Sequence, residues 1–179
     1  TGCCRVQKAM RSCPPGRVPS GDNLVAQAAL DYARPGDIIV IDAAGNTDRG
    51  MVGGMMLAYA EMRGLGGFVV NGADIQNGSL PVYGKAVSPL GPYRQGPGEM
   101  NVPVVCGGQV VMPGDILVGD QDGIVVIPRQ EAAELLEAAR KNLQDEQEAM
   151  ARMKAGTFPV EEHLESFTGS FLRRGEELI

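Results

Sequence analysis

Residues 101–128 read NVPVVCGGQVVMPGDILVGDQDGIVVIP, and this run decides the fold class. Three Val/Ile-rich segments, PVV, QVVM and DILVGDQDGIVVIP, lie between Gly-Gly, Pro-Gly-Asp and Asp-Gly. Strand formers bounded by such turn signals predict consecutive short strands and a hairpin. The same device occurs upstream, where Arg34-Pro35-Gly36-Asp37 leads into Ile38-Ile39-Val40-Ile41-Asp42. PGDIIVID and PGDILVGD are near copies, which marks two equivalent strand entries.

Working outward, the apolar run IIVI predicts a strand over 37–42 covered on both faces. A helix is expected before it, over 23–33, with Asp22 as its N-cap and Leu24, Ala28 and Leu30 among its apolar positions. A glycine-rich loop follows the strand and leads into a second helix over 54–63. Gly64, Gly66 and Gly67 stop that helix, and Phe68-Val69-Val70 reads as a second buried strand. Strand, helix and strand in this order form a βαβ unit, so the core sheet has parallel strands. Residues 71–101 read mainly as loop, with a short strand near Val82-Tyr83. A long helix is expected over 129–154, with Ala132, Leu135, Leu136, Ala139 and Leu143 on one face. An amphipathic tail over 160–172 could dock on this subunit or a neighbour. Residues 1–20 carry little pattern and read as an irregular leader or a partial edge strand, which leaves 21–179 as one domain.

The totals bound the function. The 179 residues suffice for one domain with a sizeable core. With 4% aromatic residues and no Trp, stacking platforms for bases are scarce. A net charge of -6 and a pI of about 4.8 repel phosphate backbones and anionic lipid, so neither nucleic acid nor membrane is an expected partner. No apolar run is long enough to span a bilayer and no secretory signal pattern is present, so the reading is a cytoplasmic protein. Cys3, Cys4, Cys13 and Cys106 show no zinc-ligand spacing and read as free thiols.

Two loops could carry chemistry. The first, 43–53, places Gly53 and Gly54 at a helix start, where free N–H groups favour a small carboxylate. Crevices at strand C-termini are the usual ligand sites of such sheets. Arg49 is a candidate anion partner. The loop lacks GxGxxG and a Gly-Lys-Ser/Thr, which argues against dinucleotides and P-loop chemistry. The second loop, Asn71-Gly72-Ala73-Asp74-Ile75-Gln76-Asn77, offers oxygen ligands from Asp74, Gln76 and Asn77 to a hard cation such as Mg²⁺. Parallel neighbours end on the same side, so the two loops should face each other. His163, the one histidine, lies among Glu161, Glu162 and Glu165, which argues against a Ser-His-Asp triad. Asp120-Gln121-Asp122-Gly123 is too short for an EF-hand and reads as a hairpin turn.

Taken together, GDN at 21–23, ARPGDIIVID, GGMMLAYAEMRGLGGFVVNGA, GPYRQGPGEMNVPVVCGG and PGDILVGDQDGIVVIP resemble one family. It contains the 4-hydroxy-4-methyl-2-oxoglutarate and 4-carboxy-4-hydroxy-2-oxoadipate aldolases and the regulator of RNase E activity A. The resemblance implies an α/β fold of the swivelling-domain type, a single-domain layered α/β/β/α sandwich assembled as a homotrimer or hexamer. It implies a lyase that uses Mg²⁺ or Mn²⁺ to cleave 4-hydroxy-2-oxo acids to pyruvate and a second oxoacid, and that can decarboxylate oxaloacetate. Its alternative is a non-catalytic ring protein acting on a ribonuclease or another protein partner. The family's substrate-holding backbone turn maps to Gly53, Gly54, Met55 and Met56. Counted without gaps from Gly72, the family's substrate-gripping arginine slot holds Ile75 and its metal-ligating aspartate slot holds Gln76. A shifted register gives Asp74 the metal role.

Overall fold

A computed structural model describes residues 10–17, 20–74 and 79–159, with the backbone alone at 10–17 and at 74. The elements in chain order are β1 (Met10–Arg17), α1 (Leu24–Tyr32), β2 (Ile38–Asp42), α2 (Gly54–Met62), β3 (Gly67–Asp74), β4 (Val82–Val87), β5 (Glu99–Met100), β6 (Val104–Cys106), β7 (Gln109–Val111), β8 (Ile116–Gly119), β9 (Ile124–Ile127) and α3 (Ala132–Lys154). A 3₁₀ turn at Arg129–Glu131 precedes α3. Contacts divide the chain into two compact units, Thr1–Ala132 and Ala133–Ile179.

The first unit is built on a mixed sheet of order β4-β3-β2-β1-β8-β9, with β5 also paired to β1. β1, β2, β3 and β4 are mutually parallel neighbours, while β8 runs antiparallel to β1 and β9 antiparallel to β8. The side-chain period of two sends alternate residues to opposite faces. Ile39, Ile41, Phe68 and Val70 pack with Leu30, Leu57 and Ala60 of α1 and α2. Val40 and Val69 pack instead with Val104 and Val111 of the β6–β7 hairpin and with Leu117. The expectation that IIVI is covered on both faces holds, with helices on one side and a hairpin on the other.

Both Pro-Gly-Asp devices build the same turn. Asp37 Oδ2 accepts from Arg34 N at 2.8 Å while Asp37 N donates to Arg34 O at 3.0 Å. Asp115 Oδ2 accepts from Met112 N at 2.8 Å while Asp115 N donates to Met112 O at 3.1 Å. Gly36 and Gly114 supply the positive φ, 89° and 95°, that the third position of a Pro-Gly turn demands. Both aspartates are buried, and each carboxylate and amide finds its turn partner three residues away.

Three expectations change. The irregular leader is corrected at 10–17, which form β1, a strand inside the sheet between β2 and β8; residues 1–9 and 18–19 lie outside the described residues. Two prolines hid it, because proline cannot donate to a ladder, and the β1–β2 register shifts between Cys13 and Gly16, across them. Within 71–101, expected mainly as loop, β3 runs on to Asp74, β4 spans six residues and β5 pairs with β1. β4 is a half-exposed edge strand, so its sequence lacks a continuous apolar run. The α1 N-cap is Asn23, not Asp22.

The β8–β9 hairpin closes as expected at Asp120, whose Oδ1 accepts from Asp122 N at 2.8 Å. α3 carries Leu135, Leu136, Leu143, Met150 and Met153 as exposed apolar side chains. The tail over 160–172 and His163 lie outside the described residues. Among the described residues, no helix is long and apolar enough to cross a membrane.

Candidate functional site

The polar end of the sheet is where β2, β3 and β4 finish. The loop after β2 does not leave the sheet; it runs back along the end of β3. Gly45 N donates to Asn71 O at 2.9 Å, Ala73 N to Asn46 O at 3.0 Å, and Met51 N to Ala73 O at 2.8 Å. A Cβ on Gly72 would stand 2.8 Å from Asn46 O and 3.0 Å from Ala43 Cβ, so only glycine lets the two backbones meet this closely. The first candidate loop therefore lies along 71–73, which belong to β3; residues 75–77 of the second lie outside the described residues.

This loop delivers the start of α2. Gly53 caps the helix with extended backbone, φ -115° and ψ 169°, and no side chain caps it. No acidic residue occupies its first turn. The first bond within the helix is Leu57 N to Gly53 O at 3.0 Å, so the amides of Gly54, Met55 and Met56 belong to the unpaired first turn. A Cβ on Gly53 or Gly54 would meet nothing within 4 Å, which leaves the approach to these donors open. Met55 is 90% exposed, whereas the Met56 side chain is buried in the core. Met56 can offer a ligand its amide only.

Asn23 joins the starts of the two helices. Its Nδ2 donates to Met51 O at 2.8 Å and approaches Met56 Sδ at 3.3 Å, while its Oδ1 accepts from Gln27 Nε2 at 2.9 Å. Asp22 pins the loop over 91–96 to the same place. Its Oδ1 accepts from Leu24 N, and its Oδ2 from Gln95 N at 2.6 Å and Gly96 N at 3.0 Å. Burial pushes the Asp22 carboxyl up, and the three backbone donors outweigh it and hold it below the ordinary value of 3.8. Arg49, expected to meet an anion, is engaged internally. Its Nη1 donates to Gly91 O, its Nη2 donates to Tyr93 Oη at 2.9 Å, and its guanidinium carbon lies 3.9 Å from the Tyr93 ring centroid.

A second polar group lies on the hairpin side of the same strand ends. Asp42 Oδ1 accepts from Ala44 N at 2.9 Å and from Asn71 Nδ2 at 3.0 Å. Asn71 Nδ2 also donates to Val105 O at 3.2 Å, and its Oδ1 is buried without a donor among the described residues. Lys85 Nζ lies 3.4 Å from where a Cβ on Gly45 would be. The half-buried Cys106 thiol is pushed up to about 11, by burial first and then by Asp42, with Lys85 opposing. Sequence reading passed over Asn71 as a turn residue and missed Lys85. The available signal was alternation: Tyr83 and Lys85 share one face of β4.

Of the expected metal ligands, Asp74 is the last residue of β3, paired with Val87. Ile75, Gln76 and Asn77 lie outside the described residues. Among the described residues, no group of three or more His, Cys, Asp or Glu side chains could hold an ion. An apolar cleft lined by Ile38, Gly67, Tyr83, Leu117 and Ile124 lies at the other end of the strands, away from these loops.

Comparison with known proteins accounts for this arrangement. A family profile described as "RraA-like: Aldolase/RraA" matches residues 7–126. A protein of Halalkalibacterium halodurans named "Putative 4-hydroxy-4-methyl-2-oxoglutarate aldolase" is 36% identical over 154 residues, covering 83% of this chain and 73% of its own length. A similarly named Arabidopsis thaliana protein is 34% identical over 110 residues, covering 59% of this chain and 66% of its own. Among solved structures, Streptomyces coelicolor RraAS2, described as an unusual member of the RNase ES inhibitor RraA protein family, superposes with a TM-score of 0.66 at 28% identity, covering 83% of this chain and 78% of that one. The RNA-processing inhibitor RraA from Thermus thermophilus gives 0.61 at 25% identity, covering 69% and 79%.

Proposed function

The chain belongs to the Aldolase/RraA family, and from that premise we propose that it is a divalent-metal-dependent lyase. It cleaves 4-hydroxy-2-oxo acids to pyruvate and a second oxoacid, and decarboxylates oxaloacetate by the same bond-breaking logic. The observation that carries this reading is the uncapped start of α2 beside the end of β3, open at Gly53 and Gly54. Orphan amides at a helix start favour an anion, and a 2-oxo acid brings a carboxylate.

In this reading the amides of Gly54, Met55 and Met56 hold the substrate carboxylate. Gly72 seats the 43–53 loop on β3, and Asn23 holds the loop's far side at Met51 O, so the donors are set before substrate arrives. Arg49, braced on Gly91 and Tyr93, retains further guanidinium donors for the substrate. Ile75 stands in the family's arginine slot and cannot form a bidentate bond to a carboxylate. The amides therefore carry more of the binding, and weak substrate affinity is expected.

Mg²⁺ or Mn²⁺ belongs to the same reading, with Asp74 and Gln76 as the protein's oxygen donors. The described residues form no cage of three acidic, Cys or His side chains. This suits an ion that keeps water and substrate oxygens in its shell. When bound, such an ion polarises the 2-oxo group and supports negative charge on it.

A coupled assay for pyruvate, with oxaloacetate and 4-hydroxy-4-methyl-2-oxoglutarate as substrates, tests the reading. Mg²⁺-dependent pyruvate release that EDTA abolishes is expected; no release, or a rate indifferent to EDTA, would refute it.

The second reading is a ring-forming regulator of a protein partner; two similar structures are described as an RNA-processing inhibitor and a member of an RNase ES inhibitor family. One observation favours it: Val105, Val110 and Met112 of the hairpin segment are about half exposed. Capture of a specific partner by a protein without turnover would support it, and robust turnover with no partner would exclude it. Both readings expect a homotrimer or hexamer, measurable by light scattering on the eluting protein.

A further inference from the structure

The hairpin-side polar group is separate from the α2 start. We propose that it binds a short carboxylate carrying its own hydrogen-bond donor, with Lys85 taking the carboxylate and Asp42 the donor. This goes beyond the lyase reading and does not rest on it.

Asp42 and Asn71 are register partners at the ends of β2 and β3. Alternation places them on the face of Val40 and Val69, which pack under the β6–β7 hairpin. Lys85 follows Gly84, the partner of Val70, and shares the face of Tyr83, which joins the same apolar cluster. Three adjacent parallel strands thus bring a carboxylate, an amide and an ammonium group to one side of one edge. Cys106, at the end of β6, is close enough to feel the charges of both Asp42 and Lys85.

The bonding pattern leaves specific vacancies. Asp42 uses Oδ1 for both of its donors, Ala44 N and Asn71 Nδ2, so Oδ2 is unused among the described residues. Among those residues no ion pair joins Lys85 to Asp42 or to any other carboxylate. A cation on β4 and an anion on β2, held on either side of β3 without meeting, suit a ligand that inserts between them. The loop helps: Ala44 and Gly45 both turn left-handed, at φ 54° and 74°, and the missing side chain at Gly45 leaves room before the ammonium. Asn71 is set by two acceptors, Asp42 and Val105 O, which fixes its amide orientation and steadies Asp42.

Complementarity then defines the ligand class. A carboxylate answers Lys85, and a hydroxyl or ammonium answers Asp42 Oδ2. A dicarboxylate without a donor would leave Oδ2 unmet and bring a second negative charge toward it. Malate, aspartate and succinate have the same four-carbon skeleton and carry a hydroxyl, an ammonium and neither.

The test is calorimetric titration of the full chain with each of the three acids, alongside Lys85→Met, Asp42→Asn, Gly54→Pro and the control Lys141→Met on α3. The expected result is that malate or aspartate binds at least about 10-fold tighter than succinate. Lys85→Met should lose about 10-fold or more of that affinity, and the two controls, Gly54→Pro and Lys141→Met, should keep it. Whichever of malate and aspartate binds better identifies hydroxyl or ammonium as the donor. Bound ligand should also slow alkylation of Cys106, followed at the peptide level by mass spectrometry. Succinate binding as tightly as the others, no binding of any, or Lys85→Met binding like wild type would overturn the proposal. Lys85 is exposed, so that variant stays informative even if Asp42→Asn misfolds.

Discussion

The two ends of the parallel strands are built on opposite principles. Asp37 at the entry end, and Asp115 at the start of the antiparallel strand β8, each close a turn in which both the carboxylate and the amide find partners three residues away. The neighbouring cleft is lined mainly by apolar side chains. At the exit end, groups are left over among the described residues: the first amides of α2, Asp42 Oδ2, the Lys85 ammonium and the buried Asn71 Oδ1. A buried acceptor without a donor costs about 1–3 kcal/mol, which a protein selected for stability alone would remove. We read the Pro-Gly-Asp turns as serving stability and the exit loops as the proposed binding end.

The sharpest way to break this contrast is Gly54→Pro. Proline at the first helical position removes one N–H while its ring suits the helix, and Gly53 already has the extended conformation that precedes proline. Losing one preorganised donor should cost about 100-fold in kcat/KM for oxo-acid cleavage, with the melting temperature nearly unchanged. A large loss of stability with kcat/KM intact would reverse the roles of the two ends.

Asp37→Ala attacks the entry end, and Asp115→Ala the matching turn before β8. Each should cost about 1–3 kcal/mol by denaturant unfolding, because the Met112 or Arg34 amide loses its carboxylate acceptor. The activity of the folded fraction should not change.

Smaller effects come from titration. Asp22 is held below its ordinary value of 3.8 in the folded protein. Its contribution is therefore present above that pH and lost as pH falls through the lower folded value. Acid unfolding followed by circular dichroism should move to higher pH in Asp22→Asn. Cys106 works in the other direction. Its thiol, ordinarily near 9, is pushed up to about 11, so the stability it lends is complete below 9 and lost as pH rises toward 11. Its alkylation rate should inflect near 11, and Lys85→Met should raise that inflection, because the opposing charge is gone.

The two Pro-Gly-Asp turns were legible because their chemistry is local. Pro-Gly-Asp is a turn, a positive φ and a carboxylate acceptor within four consecutive residues, and it repeats. The apolar run 38–41 between turn signals marked the two-faced strand for the same reason. The exit end depends on long-range meetings. Asp22 reaches Gln95, Arg49 reaches Tyr93, and Asp42, Asn71 and Lys85 come together only through parallel register across three strands. No spacing in the chain announces such contacts. Gly53 and Gly54 were found because glycines before a helix have a local physical meaning. β1 was missed because its prolines argue locally against a strand, while the sheet accommodates them with a register shift. Ile75 and Gln76, the positions where the family pattern fails, stand just past the last described residue of β3.

The most direct measurement is a crystal structure of the protein soaked with Mn²⁺ and oxalate, a non-reactive mimic of the pyruvate enolate. The account predicts oxalate within hydrogen-bond distance of the Gly54–Met56 amides, with anomalous metal density beside it near Asp74. Oxalate and metal seated in the apolar cleft at the entry end, or an exit end left empty at saturating concentration, would contradict it.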